Sequence, residues 1–208
     1  MKREDLELAL KKFIPEPAVP LIAQWIQEHE VHLHISHSRQ SKLGDYMHPW
    51  QGKGHRISIN HNLNPFDFLI TLVHEFAHLT TWNQHRHKVS PHGPEWKEEY
   101  KKLMQPFMHL HIFPEDVLVA LRRHFINPGA SSCSDIHLQR VLLRYDKKKD
   151  SSITTVERVP MGGLFKLRND HTFIKGPLRR TRYECKSIVN NRTYLISAIA
   201  ECKIIEKK

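Results

Sequence analysis

Residues 64–82 run Asn64-Pro-Phe-Asp-Phe-Leu-Ile-Thr-Leu-Val-His-Glu-Phe-Ala-His-Leu-Thr-Thr-Trp82 and carry the strongest pattern in the chain. Asn64 suits a helix N-cap and Pro65 the first helical position. Phe68, Leu69, Leu72, Val73, Phe76 and Leu79 recur at helical spacing and form a wide apolar face. The segment is therefore expected to be the most buried helix of the protein. Inside it, His74 and His78 stand four apart, one turn from each other on one face. Both imidazoles can then reach a single zinc ion, and Glu75 beside the first can hold a water against it. Burial of the helix supplies the rigidity a catalytic metal site requires.

Two protein ligands are too few for such a site, which usually has three and an open position. A polar loop, Asn83 to Pro91, offers His85 and His87, and His92 follows it. His92-Gly-Pro-Glu-Trp96 opens a second helix, with Pro94 in its first turn and Trp96, Tyr100, Leu103 and Met104 along one side. Spacing leaves the choice among the three histidines open, with Glu95 and Glu98 as weaker carboxylate rivals. Gly93 favours His92, because it lets the backbone approach closely.

Upstream, residues 1–12 read as a helix, and Pro15, Pro17 and Pro20 interrupt the chain. Residues 18–29 read as a second helix, with Leu21, Ile22, Trp25 and Ile26 on a core-facing stripe. Val31–Ile35 and His55–Asn60 alternate as strands, and Leu43–Met47 reads as a hairpin arm or short edge strand. His32 and His34 fall on the polar side of the first strand.

These residues together resemble a known family. Asn64-Pro, His74-Glu-Phe-Ala-His78 and Ser90-Pro-His-Gly-Pro-Glu-Trp96 are similar to the motifs of the SprT-like family, which includes bacterial SprT and eukaryotic Spartan-type zinc metalloproteases. Leu43-Gly-Asp-Tyr and Ile57-Ser-Ile-Asn60 resemble the sheet that precedes the active helix there. The similarity is strong over residues 43–104 and looser over the rest of 18–200. It implies an α+β fold with a zincin-like helix-sheet metalloprotease core, followed by a small antiparallel β domain. It implies one Zn2+ per chain, with His74, His78 and His92 as ligands, Glu75 as general base and Trp96 as a packing residue. The implied activity is a zinc peptidase acting on DNA-associated proteins. The alternative is a zinc-containing nucleic-acid-binding or regulatory protein with little or no protease activity.

The second half of the chain carries the charge. Of the net +10, residues 1–108 hold 13 Lys/Arg against 12 Asp/Glu, and residues 109–208 hold 19 against 10. An excess of +9 in one half points to an anionic partner there, and DNA, single-stranded or distorted, is the first expectation. The densest cluster is Lys175-Gly-Pro-Leu-Arg-Arg-Thr-Arg-Tyr183. Lys175, Arg179, Arg180, Arg182 and Arg192 are its candidate phosphate contacts, with Arg168 and His171 beside them. Residues 114–125 read as a helix. Strands are expected at 138–145, 156–159, 164–167, 172–174, 181–185 and 194–199, with turns at Asn169-Asp170 and Asn190-Asn191. The domain division is expected at 1–135 and 136–208.

SprT relatives often place a zinc ribbon with paired cysteines in this region. Here only Cys185 and Cys202 stand in it, each alone, and they are expected to be buried apolar residues. Cys133 carries no signal of a nucleophile. No run of about 18 apolar residues exists to span a membrane, and residues 1–10 lack the apolar core of a signal peptide. A cytoplasmic protein is the expectation.

Overall fold

The computed structural model describes residues 2–39, 42–126, 128–129, 135–146 and 152–205. The chain forms an α+β structure of two compact units, Met1–Asp146 and Lys147–Lys208. Cys133 and most of the 131–135 turn lie outside the described residues.

In the first unit, α1 (Arg3–Leu10) and α2 (Val19–Glu28) lead into a three-stranded sheet of β1 (His32–Ser36), β2 (Gly44–Met47) and β3 (Arg56–Asn60). β3 is central, parallel to β1 and antiparallel to β2, so β2 forms an edge. Then follow α3 (Pro65–His85), α4 (Pro94–His109), α5 (Glu115–His124) and α6 (Ile136–Leu142). Asn64 caps α3, its Oδ1 accepting the N–H groups of Phe66 and Asp67 at 3.1 and 3.0 Å. The Asn64 amide also donates to the Leu142 carbonyl, which ties α3 to the end of α6. Phe68, Leu69, Ile70, Leu72, Val73, Phe76, Ala77 and Leu79 are all at most 1% exposed, so α3 is apolar nearly all round and runs through the core. Each such Leu or Phe contributes about 1.5–3 kcal/mol by leaving water. Trp25 of α2 packs edge-on against Phe76 of α3 and Phe107 of α4, joining three helices at one point.

The second unit is a six-stranded antiparallel sheet of order β4 (Ile153–Thr155), β9 (Glu201–Ile205), β5 (Leu164–Leu167), β6 (Thr172–Arg179), β7 (Arg182–Ser187) and β8 (Thr193–Ser197). Its core holds Val156, Val159, Phe165, Phe173, Cys185, Ile196 and Cys202. Both described cysteines are therefore buried free thiols, and burial pushes each above its ordinary pKa.

Two expected strands differ in the structure, and one strand was not expected. Residues 138–145 are not a strand: they are α6 followed by a single 3-10 turn, Leu143–Tyr145. Alternating Val141, Leu143 and Tyr145 suggested β, but the buried pair is Leu138 and Leu142, four apart, and Asp135 caps the helix through His137 N and Leu138 N. The boundary between units accordingly falls after Asp146. Residues 156–158 form a 3-10 turn, which puts Val156 and Val159 on one buried side, and the strand lies just before it at β4. β9 lies beyond the segments expected from the pattern. Among the described residues no helix is long and apolar enough to cross a membrane.

Asp67, in the first turn of α3, is 6% exposed. Burial, and then the Asp146 carboxylate, push it up to about 7, while the neighbouring Gln139 and Thr71 side chains pull it down without offsetting this. Between pH ~4 and ~7 the unfolded chain has lost this proton and the folded chain keeps it, so the group's stabilising contribution falls as pH rises through that window. Asp67→Asn is expected to gain stability over wild type as pH is raised from 4 to 7. The gap grows by a few kcal/mol at most, at about 1.4 kcal/mol per pKa unit. Urea titrations at pH 4, 5.5 and 7.5 measure it, and a gap that stays constant with pH contradicts the assignment.

Candidate metal centre

The helical step of four places His74 and His78 one above the other on α3, with ring centroids 5.0 Å apart. The third imidazole arrives from a turn. Ser90-Pro91-His92-Gly93 closes with Gly93 N–H donating to the Ser90 carbonyl at 3.0 Å, Pro91 at the second position and His92 at the third with φ of 59°. That is a type II turn, whose third position normally calls for glycine or asparagine. A histidine held in this strained region points to a role for its side chain. His92 Nε2 lies 2.9 Å from His78 Nε2 and 3.3 Å from His74 Nε2. Among the described residues these are the three side chains whose ligand atoms converge, all within 4.8 Å of one another.

The donor set fits zinc. A tetrahedral ion with Zn–N bonds of ~2.0–2.1 Å spaces its ligand nitrogens by about 3.4 Å, close to the 2.9 and 3.3 Å from His92 Nε2 to its two neighbours. Protonation of the rings is suppressed, as metal ligation demands. Burial first, then the neighbouring histidines, push His74 down to about 2, and burial with His92 pushes His78 down to about 4. Burial also lowers His92. In the tautomer with the proton on Nδ1, a neutral imidazole presents its Nε2 lone pair, and three such lone pairs converging on one point is the donor set a cation takes. His78 and His92 are partly buried, whereas His74 is buried.

Aromatic rings support the three histidines. Trp96, fully buried on α4, lies 4.6, 5.3 and 4.7 Å from His74, His78 and His92 by ring centroids. Tyr100, one turn further along α4, contacts both His74 and Trp96. On the other side Tyr46 of β2 lies parallel to His78 at 6.5 Å, and its hydroxyl is 2.9 Å from His55 Nδ1. His55 in turn meets Trp82, which His48 stacks on and Arg86 covers at 3.9 Å. The alternation of β2 places Tyr46 on a sheet face, but only the tertiary fold brings that face to the histidines, and sequence reasoning did not single it out.

Glu75 is 6% exposed, next to His74 on α3. Burial and then the Asp45 carboxylate push its carboxyl up to about 8, against the pull of Arg39, Lys42 and the Tyr46 N–H. The other ligand candidates stand elsewhere. His85 is the last residue of α3, and His87 is exposed with its ring against His48. Glu98 pairs with Lys101, and Glu95 sits in the first turn of α4. His32 and His34 lie on β1, His32 exposed and His34 exposed.

The basic residues do not form one surface. Lys175 is not a surface contact, because it is 5% exposed and its ammonium donates to the Glu157 and Val159 carbonyls at 2.8 and 2.6 Å. It also lies 4.0 Å above the Tyr183 ring. Arg179 pairs with Glu184 at 2.8 Å. Arg180 and Arg182 are exposed at the tip of the β6–β7 hairpin, with Arg180 at φ of 57°. Arg192 belongs to the turn after β7, at the other end of that strand, about 17 Å away for six residues. Arg168 is at that same end of the sheet and pairs with Glu201.

Comparison of the chain with protein-family models, with curated proteins and with solved structures returned no match.

His92→Ala is expected to weaken zinc binding by at least ~100-fold, since loss of an outer-shell partner alone costs 10–100-fold. His87→Ala is expected to leave it unchanged. Competition with a chromophoric chelator measures both, and equal losses in the two variants contradict the assignment. Lys175→Met strands two buried carbonyls, which destabilises the second unit by about 1–3 kcal/mol. Retention on heparin is expected to stay at the wild-type value, whereas an Arg180→Ala, Arg182→Ala double variant elutes earlier.

Proposed function

We propose that this chain is a zinc-binding protein of SprT-like type, with a zincin-like core whose metal centre hydrolyses peptide bonds in DNA-associated proteins in the cytoplasm. The observation that carries the proposal is the convergence of three neutral imidazoles, two of them from the buried helix that also carries Glu75. His74, His78 and His92 would hold the ion. Bound zinc supplies Lewis acidity, acidifying a water and polarising the scissile carbonyl. The remaining steps belong to the chain. A Glu75 carboxylate oxygen takes a proton from the attacking water and delivers it to the nitrogen of the leaving amine. Trp96 and Tyr100 close the inner side of the cluster to water. β2 is an edge strand, so an extended peptide can add to it through main-chain hydrogen bonds. Main-chain recognition of this kind selects weakly among side chains, in keeping with a broad protein substrate class.

A second reading needs fewer parts and follows more directly from the cluster alone: a metal-holding nucleic-acid-binding or regulatory protein with little or no protease activity. It requires the three imidazoles and the basic second half of the chain, and gives Glu75 no chemical task. Glu75 therefore separates the two.

Zinc-loaded wild type is expected to cleave a DNA-bound protein, and to do so faster when single-stranded DNA is added. Glu75→Gln is expected to lose at least ~100-fold in rate while holding the same single zinc. If neither protein cleaves while both bind zinc and DNA, the second reading stands in place of the first.

A further inference from the structure

Glu75 of α3 packs against β2 at Gly44. The Leu43 carbonyl accepts the Asn60 N–H at 2.9 Å, so Leu43 and Asn60 form a hydrogen-bonded pair. By the alternation of an antiparallel ladder, the N–H groups of Gly44 and Tyr46 then point away from β3. At Gly44 the strand comes very close to the carboxyl. A Cβ there would stand 2.5 Å from Glu75 Oε1, 2.9 Å from Glu75 Cγ and 2.8 Å from Thr71 Cγ2. Two of those three atoms are not the free end of a flexible side chain, and α3 is too tightly buried to shift away from the strand.

Backbone conformation does not explain the glycine. Gly44 is not among the residues with positive φ, and its φ is one that any residue adopts. Glycine weakens a strand, and within strands it often marks a place where another group approaches closely. Here the approaching group is the carboxyl next to a metal-ligand candidate.

We propose that Gly44 is a positioning residue for Glu75: the missing side chain lets β2 close on the carboxyl and fixes where it sits. The catalytic part of this proposal rests on the reading of Glu75 as general base, while the contact itself does not.

The test compares Gly44→Ala in two backgrounds, wild type and Glu75→Ala, by thermal unfolding, zinc content and cleavage. In the wild-type background the Tm is expected to fall by several degrees. In the Glu75→Ala background the fall is expected to be no more than half as large, because only the Thr71 contact remains. Zinc stays at one per chain throughout, since no ligand is touched. With a wild type that cleaves, Gly44→Ala is expected to lose about 100-fold in kcat with KM little changed, the cost of an ångström-scale misplacement. An equal Tm loss in the two backgrounds overturns the contact. Unchanged kcat in Gly44→Ala overturns the positioning role. A wild type that does not cleave removes the peptidase reading by itself, and the two Tm losses still decide whether Gly44 makes room for Glu75.

Discussion

Burial of α3 is the constraint on which the rest depends. A helix that is apolar nearly all round must be enclosed, and the sheet, α2 and α4 enclose it. Two histidines and a glutamate ride into that interior because they lie on the same helix. Water is withdrawn from all three, and the charged form of each is disfavoured. The same dehydration thus leaves the imidazoles neutral, as metal ligands must be, and makes the glutamate a more strongly proton-binding group. Core packing and site chemistry are here one effect.

α4 adds what α3 cannot. Trp96 and Tyr100 fill the space beneath the histidines with rings too large to permit rearrangement. Just before that helix, the turn at Ser90–Gly93 delivers the third imidazole at the cost of a left-handed histidine. Rigidity comes from the helix and direction from the turn.

The second unit solves a different problem. A six-stranded sheet of this size has a small core, and Lys175 spends its charge inside it, clamping the segment of Glu157 and Val159 to β6. A basic residue in the sequence is thus not a basic residue on the surface. Of the other candidate cations, Arg180 and Arg182 stand at one end of β7 and Arg192 at the other.

Much of the first unit was legible in the chain. Asn64-Pro65 and the period of Phe68, Leu72, Phe76 and Leu79 mark α3, and the alternation of Ile57 and Ile59 marks β3, because capping and apolar spacing are local properties. The four-residue step of His74 and His78 is local too, and so both could be assigned to one face. What lies across the fold was not legible. Spacing could not choose among His85, His87 and His92, since loop histidines acquire a direction only from the turn that carries them. Residues 138–145 satisfied two periods at once, and only packing of Leu138 and Leu142 decided for a helix. Lys175 and Arg179 look alike in a list of charges, and the tertiary structure separates them because burial depends on which face of a strand meets a core. Gly44 shows the same division most simply: sequence marks it only as a small residue, and the carboxyl that needs its absent side chain arrives from a helix 31 positions further along, 75 − 44.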